Sequence, residues 1–177
     1  MHAPARFLLA LGLATGPCAA TSAHAASAAA DPSVEALARW LCEQLVDPDP
    51  AAAIALRERI TAGVPPGALM VWLDAFRAAP RRELAATVHE LAGYRRADVR
   101  ARAFAAWAAL DGLEADAAIA LAADDVERPI RKLAVALAQH HGTASADAVV
   151  ADLLARDAEL RAEIEAGAAP LVPEEPT

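Results

Sequence analysis

The 177-residue sequence contains few of the residues that form disulfides, aromatic surfaces or strands. It has two cysteines, one tyrosine and one lysine, and aromatic residues make up only 4% of it. Two cysteines exclude a disulfide-rich scaffold, and the length favours one ordinary domain over a large enzyme. No alternating run of Val, Ile or Thr is long enough to predict a strand. Beyond the N-terminal 30 residues, no stretch is free of charge for the roughly 20 residues that a membrane-spanning helix needs.

Alanine is the most abundant residue, with 52 copies, and it favours helix more than any other residue. The chain is therefore predicted to be all-α. Helix ends are expected at five glycines, because glycine adopts the left-handed conformation that closes a helix: Gly63, Gly93, Gly112, Gly142 and Gly167. Helix starts are expected where capping side chains or first-turn prolines precede apolar runs, at Asp31, Asp49, Asp98, Ser145 and Asp157.

The segment 1–25 has the pattern of a secretory signal peptide. Arg6 precedes a short apolar run over residues 7–14, and Ala23 and Ala25 place small residues at both ends of a cleavage triplet. We therefore expect export to the periplasm or the medium, with no membrane insertion after cleavage. A lipid anchor at Cys18 is a poorer match, because Pro17 stands where a lipobox has a small residue other than proline. Cleavage would leave only Cys42, in an apolar run where a buried side chain is expected.

Three helical segments begin with an aliphatic residue followed by arginine. The pairs are Val99–Arg100, Ile130–Arg131 and Leu160–Arg161, and they recur at an almost constant spacing. Each pair opens a predicted helix. The helices that precede the three pairs are predicted over residues 81–91, 113–123 and 146–154. The repeating unit is therefore two helices, as in repeat proteins.

These pairs, with the spaced alanines after them and the aspartate before the first, resemble the short HEAT-like repeats of bacteria that also occur in phycobilisome lyases. The resemblance covers about residues 81–166 and implies a right-handed α-solenoid of antiparallel helical hairpins. It also implies that Arg100, Arg131 and Arg161, with Asp98, are structural positions that join neighbouring repeats. Pro129 and Glu159 replace Asp98 in the later copies, which departs from a continuous Asp–Arg ladder.

The predicted organisation is a signal peptide over residues 1–25, an N-terminal helical segment over 26–80, HEAT-like repeats over 81–167 and a disordered tail over 168–177. The N-terminal segment is either a set of degenerate repeats or a cap of different design. Degenerate repeats are suggested by Trp40, Trp72 and Trp107, whose spacing is close to that of the aliphatic–arginine pairs. The tail carries three prolines and two acidic residues without periodicity.

No catalytic, cofactor-binding or metal-ligating residues are predicted. His89 and Glu90 begin like a zinc-protease motif, but Gly93 stands where the second histidine is required. The adjacent histidines His140 and His141 diverge by about 100° on a helix and do not readily share a metal. No phosphate-binding loop or nucleophile elbow is present.

Charge is unevenly distributed along the chain. Residues 77–102 contain seven arginines and three acidic residues, whereas residues 103–177 contain five basic and fourteen acidic residues. Arg95, Arg96 and Arg102 have no counterpart in the later copies, which makes them the candidate residues for contact with a protein partner. The charge segregation also predicts a possible homodimer. An acidic, exported domain with few aromatic residues is not expected to bind nucleic acid.

We therefore expect a non-catalytic extracytoplasmic scaffold or adaptor that binds another protein through its repeat surface. Two alternatives remain at this point. The first is an enzyme or enzyme accessory related to the phycobilisome lyase type of repeat protein. The second is a compact helical bundle with a structural role in the cell envelope.

Overall fold

The computed structural model describes residues 32–43, 45–46 and 50–167, and the proposed signal peptide and tail lie outside these ranges. Every regular element in the described part is a helix, which confirms the all-α prediction. A short 3₁₀ turn, Arg82–Leu84, leads into α4. The α-helices are α1 (Pro32–Glu43), α2 (Pro50–Gly63), α3 (Pro66–Ala78), α4 (Ala85–Leu91), α5 (Ala97–Ala108), α6 (Gly112–Ala123), α7 (Arg128–His141), α8 (Ala144–Arg156) and α9 (Ala158–Glu165).

The helix boundaries follow local chemistry, with three corrections to the sequence prediction. Asp98 does not begin α5, because it lies inside that helix, whose N-cap is Arg96. Asp157 caps α9 as expected, because its side chain accepts a hydrogen bond from the Leu160 amide at 2.9 Å. The cap of α8 is Thr143 and not Ser145, since the Thr143 hydroxyl accepts from the Ala146 amide at 3.1 Å. Gly112 begins α6 instead of ending α5, and its positive φ of 60° follows another positive φ, 59°, at Asp111.

Alternate helices of the described chain lie side by side. Helix α3 packs on α1 and α5, and α5 packs in turn on α7. Of the intervening helices, α2 packs on α4 and α6 packs on α8, but α4 and α6 do not pack closely on each other. Consecutive helices α4–α5, α5–α6, α6–α7 and α7–α8 are also in contact, so α5 touches four other helices.

A continuous apolar core runs from Ala38 in α1 to Leu160 in α9. Its aromatic part contains Trp72 and Phe76 on one face of α3, with ring centroids 5.8 Å apart. Phe104 and Trp107 of α5 are also buried. The later helices are packed largely through alanine, whose small side chain lets helix backbones approach closely.

Trp72 is the largest fully buried side chain of this core, and its Nε1 has no hydrogen-bond partner among the described residues. A buried N–H without a partner costs free energy that the surrounding apolar packing must exceed. The indole therefore stabilises the protein through its volume.

We expect Trp72→Ala to lower the free energy of unfolding by about 3 to 5 kcal/mol because it leaves a large cavity. Trp72→Phe should cost less than about 1.5 kcal/mol, since it keeps most of the volume and removes the unpaired N–H. Urea unfolding followed by circular dichroism measures both changes. Trp40→Ala is the control, because Trp40 is only half-buried and should cost less than Trp72→Ala. Equal losses for the two alanine variants would contradict this assignment.

Candidate functional site

Arg100, in the first turn of α5, joins the turn before α5 to the turn before α7. Its guanidinium makes a bidentate ion pair with Asp125, with Nε 2.8 Å from Oδ2 and Nη2 3.0 Å from Oδ1. Its Nη1 donates to the carbonyl oxygens of Tyr94 at 3.0 Å and Arg95 at 3.1 Å. One side chain therefore fixes the turn before its own helix against the turn between α6 and α7.

Arg131 repeats this arrangement at the start of α7. Its Nε donates to Asp157 Oδ2 at 3.0 Å, and Nη1 donates to the carbonyl oxygens of Asp125 at 2.9 Å and Val126 at 3.0 Å. In both cases the two carbonyls belong to the turn that directly precedes the arginine's own helix. The arrangement therefore recurs at the spacing of the aliphatic–arginine pairs.

The aspartates of this arrangement also bind backbone amides. Asp125 accepts from the Glu127 amide at 2.8 Å, and Asp157 caps α9. Burial raises the pKa of Asp125, but hydrogen bonds from Arg100 and the Glu127 amide outweigh it and hold the pKa below its ordinary value of 3.8. The Leu160 amide lowers the pKa of Asp157, and Arg131 adds to that effect despite partial desolvation. Both groups are therefore ionised at neutral pH.

The four predicted structural positions differ in what they contact. Arg100 of α5 binds Asp125 in the turn before α7, and Arg131 of α7 binds Asp157 in the turn before α9. Asp98 instead pairs with Arg96, with one oxygen 2.6 Å from Nη2, and both side chains are exposed. Arg161 lies 4.0 Å from Glu165 of its own helix. This role of Asp125 and Asp157 was not predicted from the sequence, because the expected Asp–Arg ladder placed its carboxylate at Asp98.

An open groove of about 590 Å³ lies between the two turns that Arg100 joins. Its apolar lining includes Leu121 of α6 and Val126 of the following turn, whose exposed fractions are 46% and 86%. Tyr94, Phe104 and Arg95 also line it. Large exposed apolar side chains beside one another are typical of a binding surface.

A second, smaller groove lies between the turns that Arg131 joins. It is lined by Asp124 and Arg156, which form an ion pair with each other, and Arg156 also donates to the Ala123 carbonyl at 3.1 Å. The charged groups at this groove therefore already have partners. The first groove has the more apolar lining and is the better candidate for binding.

The three arginines singled out from the sequence have different surroundings. Arg102 of α5 donates to Asp74 Oδ2 and Met70 Sδ of α3, each at 3.3 Å. Arg96 is engaged with Asp98. Arg95 is exposed, and its guanidinium makes no hydrogen bond or ion pair within the described ranges. It also lies on the rim of the first groove, so the structure places only one of the three candidates at this site.

The sequence analysis missed the apolar residues Tyr94, Leu121 and Val126. A signal for one of them was present, because Val126 is an aliphatic residue in a turn bounded by acidic side chains. Tyr94 was harder to identify, because the sequence spacing aligns its turn with the turn that holds Asp125 but does not show that a groove lies between the two turns.

The histidines show contacts that pack or orient them. His89 lies against Trp107, with ring centroids 4.5 Å apart, and His140 and His141 meet edge to face at 5.4 Å. Across the described residues, no cluster of three or more His, Cys, Asp or Glu side chains is arranged to hold a metal ion. None of the helices in that part is long and apolar enough to cross a membrane.

No protein-family model, curated protein or solved structure matches this chain. The residues that can be assigned a role are therefore those whose geometry supports it directly. These are the Arg100–Asp125 and Arg131–Asp157 pairs, and the groove beside the first of them.

Removing the Asp125 carboxylate should destabilise the protein strongly. The side chains of Arg100 and Asp125 are 12% and 7% exposed, so Asp125→Ala leaves a largely buried guanidinium without its counter-charge. We expect a loss of about 2 to 4 kcal/mol in the free energy of unfolding. Asp98→Ala is the matched control, because it removes an aspartate from an exposed pair, and its Tm should stay close to wild type. Similar shifts in Tm for the two variants would refute this difference.

The Asp125 pair also predicts a pH dependence. Because its folded-state pKa lies below 3.8, its stabilisation is fully present above the unfolded-state pKa and is lost as pH falls through the folded value. The stability difference between wild type and Asp125→Asn should be constant above about pH 5 and should shrink below about pH 4. Urea titrations at several pH values measure it. A difference that stays constant throughout the acid range would show that ionisation of Asp125 is not the cause.

Proposed function

We propose that this chain is an exported, non-catalytic helical-repeat adaptor of the HEAT-like type, which binds another protein through the groove between α4–α5 and α6–α7. The observation that carries the proposal is the groove itself, with the exposed side chains of Leu121 and Val126 beside the guanidinium of Arg95. The remaining features support the repeat architecture, the location and the rigidity of this surface.

The packing of alternate helices supports a solenoid of helical hairpins. In such a stack each hairpin contacts mainly its neighbours. The contacts α3–α5, α5–α7 and α6–α8 join successive hairpins in this way. The same arginine geometry at Arg100 and Arg131 supports a structural repeat, because equal contacts recur at the same sequence spacing as the motif.

Export is supported by the sequence of residues 1–25, with its basic residue, short apolar run and small residues at the cleavage triplet. The partner is expected in the periplasm or the medium.

The groove is suited to a segment that carries an apolar side chain beside a carboxylate. Leu121 and Val126 offer apolar surface, and Arg95 offers a cation with no partner in the described chain. Arg100 and Asp125 form part of the lining and lock the two turns together. Binding therefore does not require these walls to be ordered first, which reduces the entropy cost of association.

Substitutions in the groove should abolish partner capture without unfolding the protein. We would crosslink the tagged chain in its native envelope, identify captured proteins by mass spectrometry, and measure the affinity of the purified pair. Val126→Glu and Arg95→Glu should each weaken binding at least about fivefold, because each adds a repulsive or poorly solvated charge at the contact. Circular dichroism checks that both variants fold.

Leu113→Glu is the matched control, because Leu113 is an aliphatic residue of α6 with 87% exposure and does not line the groove. It should bind as wild type does. The proposal fails if the partner binds all four proteins equally, or if Leu113→Glu weakens binding as much as Val126→Glu.

A further inference from the structure

The chain reverses direction between α5 and α6 within a short connection, residues 109–111. Both ends of this connection are fixed, because Leu110 is buried in the core and α6 packs on α5. The Asp111 amide donates to the Ala108 carbonyl at 3.1 Å, which ties the connection to the end of α5. The reversal is completed at Asp111, whose φ is 59° and whose ψ is 174°.

The backbone of Asp111 is strained. Aspartate tolerates a positive φ mainly in the left-handed helical region, where ψ is about 47°. The ψ of 174° lies far outside that region, in a part of conformational space that is occupied almost exclusively by glycine. Gly112 follows with a φ of 60°, which glycine adopts without cost. The strain of the turn is therefore concentrated at the aspartate.

The Asp111 carboxylate stands at the N-cap of α6 but does not cap the helix. An N-cap aspartate usually accepts a hydrogen bond from one of the first helical amides, as Asp157 does in α9. Within the described chain, the one polar contact of the Asp111 side chain is His141 Nδ1, at 3.7 Å. The side chain is 79% exposed, so the carboxylate is free to rotate and is accessible to water.

The amide nitrogen of Gly112 is equally unengaged. Gly112 is the first residue of α6, and the amides of a first helical turn have no partner within their own helix. This amide donates no hydrogen bond to any described residue. Apart from its chain neighbours and its own helix, no heavy atom lies within 4 Å of the position that a Cβ would occupy. An electrophile can therefore approach the nitrogen without displacing another group.

The sequence places this arrangement at one position only. Asp111 is the only aspartate followed by glycine, and the chain contains no asparagine. Glycine offers the least steric hindrance to attack by its nitrogen on the side chain before it, because it has no Cβ.

We propose that the Asp111–Gly112 step is a modification site, at which the folded chain converts its own aspartate to isoaspartate. The Gly112 nitrogen attacks Cγ of Asp111 and forms a C–N bond. The C–O bond to the carboxyl hydroxyl breaks, and the hydroxyl leaves as water with the amide proton. A water molecule then opens the resulting succinimide ring at the former main-chain carbonyl, so the composition of the chain is unchanged.

The product relieves the strain that the fold imposes on Asp111. The main chain now runs through Cβ and Cγ, which adds one main-chain atom to the connection between α5 and α6. With this extra atom, the reversal no longer requires the φ and ψ that Asp111 has in the unmodified chain. Neither Asp111 nor Gly112 lines the groove between α4–α5 and α6–α7, so this inference does not depend on the proposed function.

Incubation of the full folded chain at neutral pH, followed by peptide mass spectrometry with electron-transfer fragmentation, tests this proposal. Isoaspartate should accumulate at Asp111 at least about tenfold faster than at Asp157 in the same sample. Asp157 is the internal control, because the Leu160 amide and Arg131 hold its carboxylate and its φ is −116°. In heavy-oxygen water, the isoaspartate should carry a heavy oxygen atom, since water opens the succinimide.

Two further samples separate the role of the fold from that of the dipeptide. Asp111→Glu keeps the charge and the length of the connection but would have to close a six-membered ring, so it should stay unmodified. Wild type unfolded in guanidinium chloride reports the rate of the same dipeptide in a flexible chain, and the folded protein should react at least as fast. Slower reaction in the folded protein, equal rates at Asp111 and Asp157, or a product without heavy oxygen would overturn the proposal.

Discussion

The ion pair between Arg100 and Asp125 is the interaction on which the rest of this structure depends. A largely buried guanidinium costs desolvation energy, and it is stable here because two carboxylate oxygens and two backbone carbonyls accept its hydrogen bonds. The same side chain fixes two turns, one before α5 and one before α7. Helix packing, the shape of the groove and the position of the next arginine, Arg131, follow from the relative placement of these turns.

The two halves of the described chain, α1 to α5 and α6 to α9, are stabilised by different means. All three tryptophans lie in α1, α3 and α5, where Trp72 and Phe76 fill the core with large side chains. Helices α6 to α9 contain no aromatic residue apart from histidine and pack through alanine, with Ile119, Ile130 and Leu153 among the larger buried groups. Small side chains bury less apolar area, so the charged contacts of α7 with the last hairpin contribute more there. The Arg131–Asp157 pair therefore lies where the buried side chains are smallest, and the Arg100–Asp125 pair joins α5 to the turn before α7.

The helical content could be predicted from sequence, because the helix propensity of alanine, the capping residues and the spacing of the apolar residues all favoured helix. The recurrence of the arginine contact could also be found, because Arg100 and Arg131 each follow an aliphatic residue that is buried. Their partners could not be identified, since Asp125 and Asp157 are distant in sequence and are recognisable only once the turns are placed. The same limit applied to Arg102, whose pairing crosses from α5 to α3. The distribution of charge along the sequence showed where arginines cluster. Only the contacts within the described chain distinguished the arginines that already have an acidic partner.

The most direct test compares unfolding by two probes in wild type and Asp125→Ala. Tryptophan fluorescence reports on α1, α3 and α5 alone, whereas far-ultraviolet circular dichroism reports on every helix, including the tryptophan-free α6 to α9. If the Arg100–Asp125 pair couples the two halves, the transitions should lie close together in wild type. In the variant, circular dichroism should lose signal at lower urea than fluorescence does. Coincident transitions in the variant would contradict the central role of this pair.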